Sequence, residues 1–237
     1  LRNLPVVNST ASTLSLCSFI TYKNHLSIYK DYQKRNKLLN RVISMREFIY
    51  FSKSASTTGN FKDLMKAGRM DIVLHSIIAS LFISNQMRPD VKLHLIFYGR
   101  PTPPRHIELE TSEELNNILS KKDVAGLIKR ILFKYKEGKK IEAFPSCHIE
   151  KRSLTDVVKD LKKEGKEIFI LEKKGTNLRK EKLPENSVFI IGDHEGLPKD
   201  ELKRLKKIST KVSLGPQTYF ASQSIVILQN ELDIREK

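Results

Sequence analysis

The chain has 237 residues, enough for one large domain or two small ones, and its 39% hydrophobic content can fill a core. No stretch approaches the roughly 18–20 apolar residues that span a bilayer. The only two cysteines, Cys17 and Cys147, exclude a disulfide framework and favour a reducing, cytoplasmic setting. Lys and Arg number 43 against 27 Asp and Glu, and the resulting net charge of +16 points to a polyanionic partner, nucleic acid first.

Residues 1–44 are rich in Ser, Thr and Asn, follow no sustained period, and hold seven Lys/Arg against one acidic residue. They read as a basic extension, either disordered or upstream of a natural start at Met45. Residues 14–20 are too short and too polar for the core of a secretory signal. From Met45 onward, strands alternate with helices. Residues 47–52 form a strand and are followed by a Ser/Thr/Gly loop. The spacing of Ile72, Leu74, Ile77, Ile78, Leu81 and Phe82 predicts a helix over 71–84. A strand over 92–98 stops at Gly99-Arg100-Pro101. Helices are predicted over 124–136 and over 153–163, the latter capped by Ser153 or Thr155. The runs at 167–171 and 187–191 are apolar with little alternation, as in strands covered on both faces. A basic helix over 198–207, a strand over 210–214 and a helix over 220–232 close the chain. This is an α/β pattern with a mostly parallel sheet flanked by helices.

Three loops follow predicted strands in the last third: Glu172-Lys173-Lys174-Gly175, Gly192-Asp193-His194-Glu195-Gly196, and Gly215-Pro216-Gln217-Thr218-Tyr219. In open α/β sheets, ligands sit beyond the carboxyl ends of strands, so the three can form one pocket. Glycines let backbone approach a ligand and read a base edge. Neither G-x-G-x-x-G nor G-x-x-x-x-G-K-[ST] is present, so a phosphate-anchored nucleotide is disfavoured. An adenine-type pocket without a phosphate cradle suits S-adenosylmethionine.

The residue spacing gives no reason to expect a metal. Asp193, His194 and Glu195 are consecutive and diverge on a turn, Cys147-His148 stands alone, and no second His or Cys lies at a ligand spacing. His94, inside a strand, and His75, on a helix, read as satisfied core histidines. Arg69, Arg88 and Arg100 can present a cationic face to RNA phosphates, with Asp71 fixing Arg69 or complementing a helix N-terminus. Tyr98, Tyr219 and Phe220 are the stacking candidates. The Lys/Arg-rich segment 199–207 reads as a solvated face.

The ordered motifs MREFIYF, GRMD, LIFYGRPTPP, VFIIGDHEG and SLGPQTYFASQSIVILQNELD resemble the archaeal tRNA pseudouridine(54) N1-methyltransferase (TrmY) family of the SPOUT superfamily, from Met45 to about Asp233. The resemblance implies one SPOUT domain over 45–237 whose segment 167–234 is threaded into a deep trefoil knot. It also implies S-adenosylmethionine as methyl donor, a homodimer, and the tRNA T-arm as partner. By motif, the cofactor residues are Leu171, Gly192, Leu214, Gly215, Pro216, Gln217, Thr218, Tyr219 and Ser224. Asp193 is the first candidate for the base or for orienting the pyrimidine, and His194 the second. Arg69, Asp71 and Arg88 are assigned to RNA. Two departures stand out: Ser224 replaces a common Cys, and Gly215 to Tyr219 replaces an SPLEL-like run. The related ribosomal-RNA pseudouridine N1-methyltransferase and an inactive RNA-binding assembly protein are the alternatives. The role of Glu195 is left open.

Overall fold

The computed structural model describes residues 45–84, 86–117 and 120–236, and the extension expected over 1–44 lies outside them. β1 (Arg46–Ser52) is buried along its whole length. Its uninterrupted apolar centre suits a strand covered on both faces. It runs parallel to β4 (Val91–Phe97) on one side and to β9 (Ser187–Gly192) on the other. Beyond β9 lie β8 (Glu167–Asn177) and β10 (Thr210–Ser213), both parallel. Beyond β4 the sheet turns antiparallel through β5 (Arg105–Glu110), β7 (Cys147–Glu150) and β6 (Ile141–Phe144). The order β10-β8-β9-β1-β4-β5-β7-β6 makes a mixed eight-stranded sheet, more parallel than not, as the sequence pattern predicts.

Alternation along β1 sends Phe48 and Tyr50 into one core and Ile49 and Phe51 into another. The first core is covered by α1 (Met70–Leu81), α2 (Lys121–Phe133) and α5 (Ala221–Arg235). The second is covered by α3 (Leu154–Lys163) and α4 (Lys199–Leu205). Helix starts follow local chemistry. The hydroxyl of Ser120 accepts from the Asp123 N–H while the Asp123 carboxylate accepts from the Ser120 N–H. Ser153, rather than Thr155, caps α3 by accepting from the Asp156 N–H.

Two expectations need correcting. The helix predicted to residue 84 ends at Leu81, and the chain turns into a small hairpin, β2 (Phe82–Ile83) with β3 (Gln86–Met87). His75 is not a core residue: it is exposed, with Nε2 2.8 Å from Lys121 Nζ. His94 is buried as expected, with Nε2 2.8 Å from Glu47 Oε1 and Nδ1 2.9 Å from His106 Nε2. Strands β5, β6 and β7 have no counterpart among the predicted elements. In β5 Arg105 and His106 are buried on opposite faces, which leaves Ile107 and Leu109 as its only apolar alternation, a short signal beside the Pro-rich turn.

The end of α5 is clamped to the start of β1 by Arg46. Its buried guanidinium reaches Asp90 at 2.9 Å, Asp233 at 2.6 Å, Glu236 at 2.6 Å and the Gln229 side chain at 2.8 Å. Arg88 meets the same Asp233 through two nitrogens at 2.9 and 2.7 Å. Removing Arg46 leaves Asp90 buried and unpaired. Arg46→Ala is therefore expected to lower the unfolding free energy in urea by about 3 kcal/mol. The guanidiniums of Arg88 and Arg46 hold the Asp233 carboxyl below the usual carboxylate range. Its contribution to stability is complete above about pH 4 and is lost as pH falls through the depressed folded value. Asp233→Asn should lower the urea midpoint at neutral pH and flatten its decline on acidification.

Candidate active site

Because β10, β8, β9, β1 and β4 are parallel, their carboxyl ends share one edge of the sheet, where ligands bind in such folds. Here the loops expected to cooperate do meet. Residues after β9 and β10, a segment within β8 and the first turn of α5 enclose a cavity of about 350 Å³. The lining includes Leu171, Gly192, Asp193, Leu214, Gly215, Gln217, Thr218, Tyr219 and Ser224. Pro216 and His194, expected at this site, are not among the lining residues, and His194 is exposed.

The first loop is built differently from its expectation. β8 does not end at Leu171. It leaves β10 after Ile170, which pairs with Lys211, and returns at Thr176, which pairs with Val212. Residues 171–175 therefore bow out of a continuous strand, and Leu171, Glu172 and Lys173 reach the cavity. Gly175 permits the return: a Cβ there would lie 2.5 Å from Val212 backbone. In the third loop Gly215 has φ 134°, in the region that favours glycine. The Gln223 side chain accepts from the Phe220 N–H at the start of α5, and this helix brings Ala221 and Ser224 to the cavity wall.

The second loop is held by Asp193. Its Oδ2 accepts the Lys53 N–H at 2.8 Å and its Oδ1 the Glu195 N–H at 2.9 Å. Glu195 in turn takes Lys53 Nζ at 2.7 Å, and that ammonium holds its carboxyl below the usual range. The open role of Glu195 is thus a tie between the ends of β9 and β1. Asp193 keeps lone pairs on both oxygens beyond these bonds. The chemistry of the lining suits S-adenosylmethionine. Ile170, Ile191, Leu197, Leu202, Val212 and Leu214 supply apolar walls, a few hydroxyl and amide groups converge, and no glycine-rich phosphate cradle is present among the lining residues.

A second cavity of about 430 Å³ opens where β1 and β4 end, lined in part by Ser54, Asn60, Lys62, Lys66, Gly68 and Arg100. Gly68 and Gly99 let this loop close on itself, since a Cβ on either would fall within 2.2 Å of the Ser54 carbonyl oxygen. Arg69 follows, with φ 61°, and bonds the Asp71 carboxylate through two nitrogens at 3.1 Å. Its side chain remains 43% exposed. Arg88 does not join this face. Its side chain is 12% exposed and committed to Asp233, so the structure corrects its assignment to RNA phosphates.

A family model of SAM-dependent RNA methyltransferases matches residues 45–237. The chain belongs to this family. Among its relatives, the tRNA (pseudouridine(54)-N(1))-methyltransferase of Methanocella arvoryzae is 36% identical, over 81% of this chain and 100% of its own length. That of Methanococcoides burtonii is 32% identical, over 80% of this chain and 96% of its own. In fold the chain resembles Archaeoglobus fulgidus Nep1 bound to S-adenosylhomocysteine, with a TM-score of 0.55 at 16% identity, covering 81% of this chain and all of the other.

For this methyltransferase, the sequence pattern did not single out Tyr50 or Leu197. Tyr50 reads as one more apolar strand position. Yet burial, reinforced by the Asp193 carboxylate, raises its phenol above the ordinary range, so a neutral hydroxyl lies within electrostatic reach of Asp193, Asp71 and Arg69. Only the pairing of β1 with β9 puts it there. Gly175→Ala would force β8 away from β10. The variant is expected to lose about 1–3 kcal/mol of stability and to bind S-adenosylhomocysteine more than tenfold more weakly by isothermal calorimetry, whereas Gly138→Ala should leave binding unchanged.

Proposed function

We propose that this methyltransferase acts on N1 of pseudouridine at position 54 in the T-loop of tRNA, giving N1-methylpseudouridine. The observation that carries the reading is the convergence of the three loops on one cavity, beside a cationic face at the same sheet edge. The names of its relatives supply the base and its position. S-adenosylmethionine supplies an electrophilic methyl group whose sulfonium leaves as a neutral thioether. Pseudouridine is joined to ribose through carbon, so its N1 is free and carries a proton. As the N1–CH₃ bond forms, that proton must leave.

Leu171, Gly192, Leu214, Gly215, Gln217, Thr218, Tyr219 and Ser224 hold the donor, with Pro216 shaping their loop. Ser224 keeps the size of the Cys it replaces and offers a hydroxyl to the cavity. Asp193, fixed by the Lys53 and Glu195 N–H groups, accepts the proton or orients the pyrimidine, and positioning supplies the larger share of the rate. His194, exposed beside it, is the second candidate. Arg69, held by Asp71, joins Arg100, Lys62 and Lys66 in meeting RNA phosphates. The target base leaves the loop stack to reach the cavity. Segment 167–234 forms the trefoil knot of the SPOUT superfamily. The protein works in the cytoplasm as a homodimer, and the exposed Phe220, Val226 and Ile234 along α5 suit such an interface.

The deciding experiment is labelled-methyl transfer to two T-arm RNAs, one with pseudouridine and one with uridine at the target position. Incorporation is expected only into the pseudouridine RNA, and its absence from both with folded protein would overturn the reading. Asp193→Asn should lower kcat by roughly 10²–10⁴ while S-adenosylhomocysteine binding stays within a few fold. Replacing Lys62, Lys66 and Arg100 by Ala should weaken RNA binding and reduce the slope of log K against log salt by about 1 for each phosphate no longer neutralised.

A further inference from the structure

The antiparallel half of the sheet carries a cluster of ionisable side chains that line neither cavity. On one face of β4, β5 and β7, His94 is the register partner of Glu108, Glu108 of His148, and His106 of Glu150. His94 and His106 are each 3% exposed and their rings stack. Each ring is held from behind by a carboxylate: His94 Nε2 lies 2.8 Å from Glu47 Oε1, and His106 Nδ1 lies 2.9 Å from Glu150 Oε1. Lys166 Nζ, 2.6 Å from Glu47 Oε2, favours the ionised form of that carboxylate.

An ionised carboxylate only accepts, so each imidazole carries a proton on its outer nitrogen. The inner nitrogens, His94 Nδ1 and His106 Nε2, face each other 2.9 Å apart, and when both rings are neutral each presents a lone pair. Two buried acceptors at that distance repel unless a positive charge joins them. Glu108 brings a carboxylate to the same place, with Oε2 3.9 Å from His94 Nδ1 and 3.4 Å from Lys140 Nζ.

We propose that His94, His106 and Glu108 form a binding site for a divalent transition-metal ion, zinc by the character of its donors. Two imidazoles and one carboxylate are a donor set that zinc accepts, with water completing the shell. Glu47 and Glu150 occupy the outer positions that fix ring orientation and tautomer in such sites. The three ligand atoms lie within 4.8 Å of one another. Ligands at about 2.0–2.1 Å around a tetrahedral ion stand roughly 3.3 Å apart. To reach that spacing the two ring nitrogens part slightly from 2.9 Å and the Glu108 carboxylate turns from Lys140 toward them. An ion here joins the last parallel strand, β4, to the first antiparallel one, β5, and stabilises the sheet where its direction changes. Ligand spacing along the chain gives no sign of this site, because its members come together only across strands.

The test uses the full 237-residue chain, stripped with a chelator and dialysed. It is titrated with zinc chloride against a chromophoric chelator, and with cobalt chloride by visible absorption. One zinc per chain is expected to be lost in His106→Asn, with His75→Ala and His194→Ala retaining it. Zinc should raise the thermal midpoint of the unmodified chain and not that of His106→Asn. Glu150→Gln, which touches His106 only from behind, should weaken zinc binding by roughly 10–100-fold. Far-ultraviolet circular dichroism checks the fold of each variant, and the cobalt spectrum of the unmodified chain needs no variant at all. Equal zinc binding by His106→Asn and the unmodified chain would overturn the proposal. So would a folded unmodified chain that takes up neither metal, which leaves a proton as the cation between the rings.

Discussion

Everything at the candidate active site depends on one constraint: β1 is paired on both edges and covered on both faces. Its parallel register with β4 and β9 carries Ser52, Phe97 and Gly192 to the same edge of the sheet. The Lys53 N–H, one residue past that strand, takes no part in the ladder and instead donates to Asp193. A buried central strand leaves little freedom for slippage, because a shift by one residue would exchange the two cores along Phe48 to Phe51. The loops that build the cavity are therefore hung from a fixed frame. Loops positioned by rigid strands are where chemistry is usually placed.

The two halves of the sheet divide the work. The parallel half ends in the cavity and the cationic loop after β1, both suited to a methyl donor and an RNA. The antiparallel half carries no part of the cavity but buries an ionisable network on one face, where an apolar core would be expected. Buried charge is costly unless paired, and here Lys166, Glu47, His94, His106 and Glu150 form a continuous chain across four strands and a loop. At the far end of α5 from the cavity, Arg46 and Arg88 share the same Asp233 and anchor the helix that carries Ser224. Ion pairs that the sequence shows only as a high charge content are thus sorted by the fold into a clamp, a loop tie at Lys53–Glu195 and the buried histidine network.

Much of this was legible before any coordinates. All five parallel strands were readable as strands, and the runs at 167–171 and 187–191 were so because strands covered on both faces need no polar alternation. The three glycine-bearing loops were readable as one site because strand carboxyl ends share an edge in such sheets. The family motifs named the cofactor and the base. Less legible was β5, where buried Arg105 and His106 leave only Ile107 and Leu109 to mark its period. The bow at 171–175 was also hidden, since nothing local distinguishes a strand that pauses from one that ends.

What the sequence determined alone were the properties carried by near neighbours: which runs are the parallel strands, that a hydroxyl near 153 starts a helix, the net positive charge, and the motifs of an RNA methyltransferase. The tertiary structure decided what depends on residues far apart in the chain. It committed Arg88 to Asp233, separated by 145 positions, and so removed it from the RNA face. It brought Tyr50 within reach of Asp193, and it set His94 against His106. Local propensity acts over a few residues, whereas the partner of a charge or a lone pair is fixed only when strands pair and helices dock.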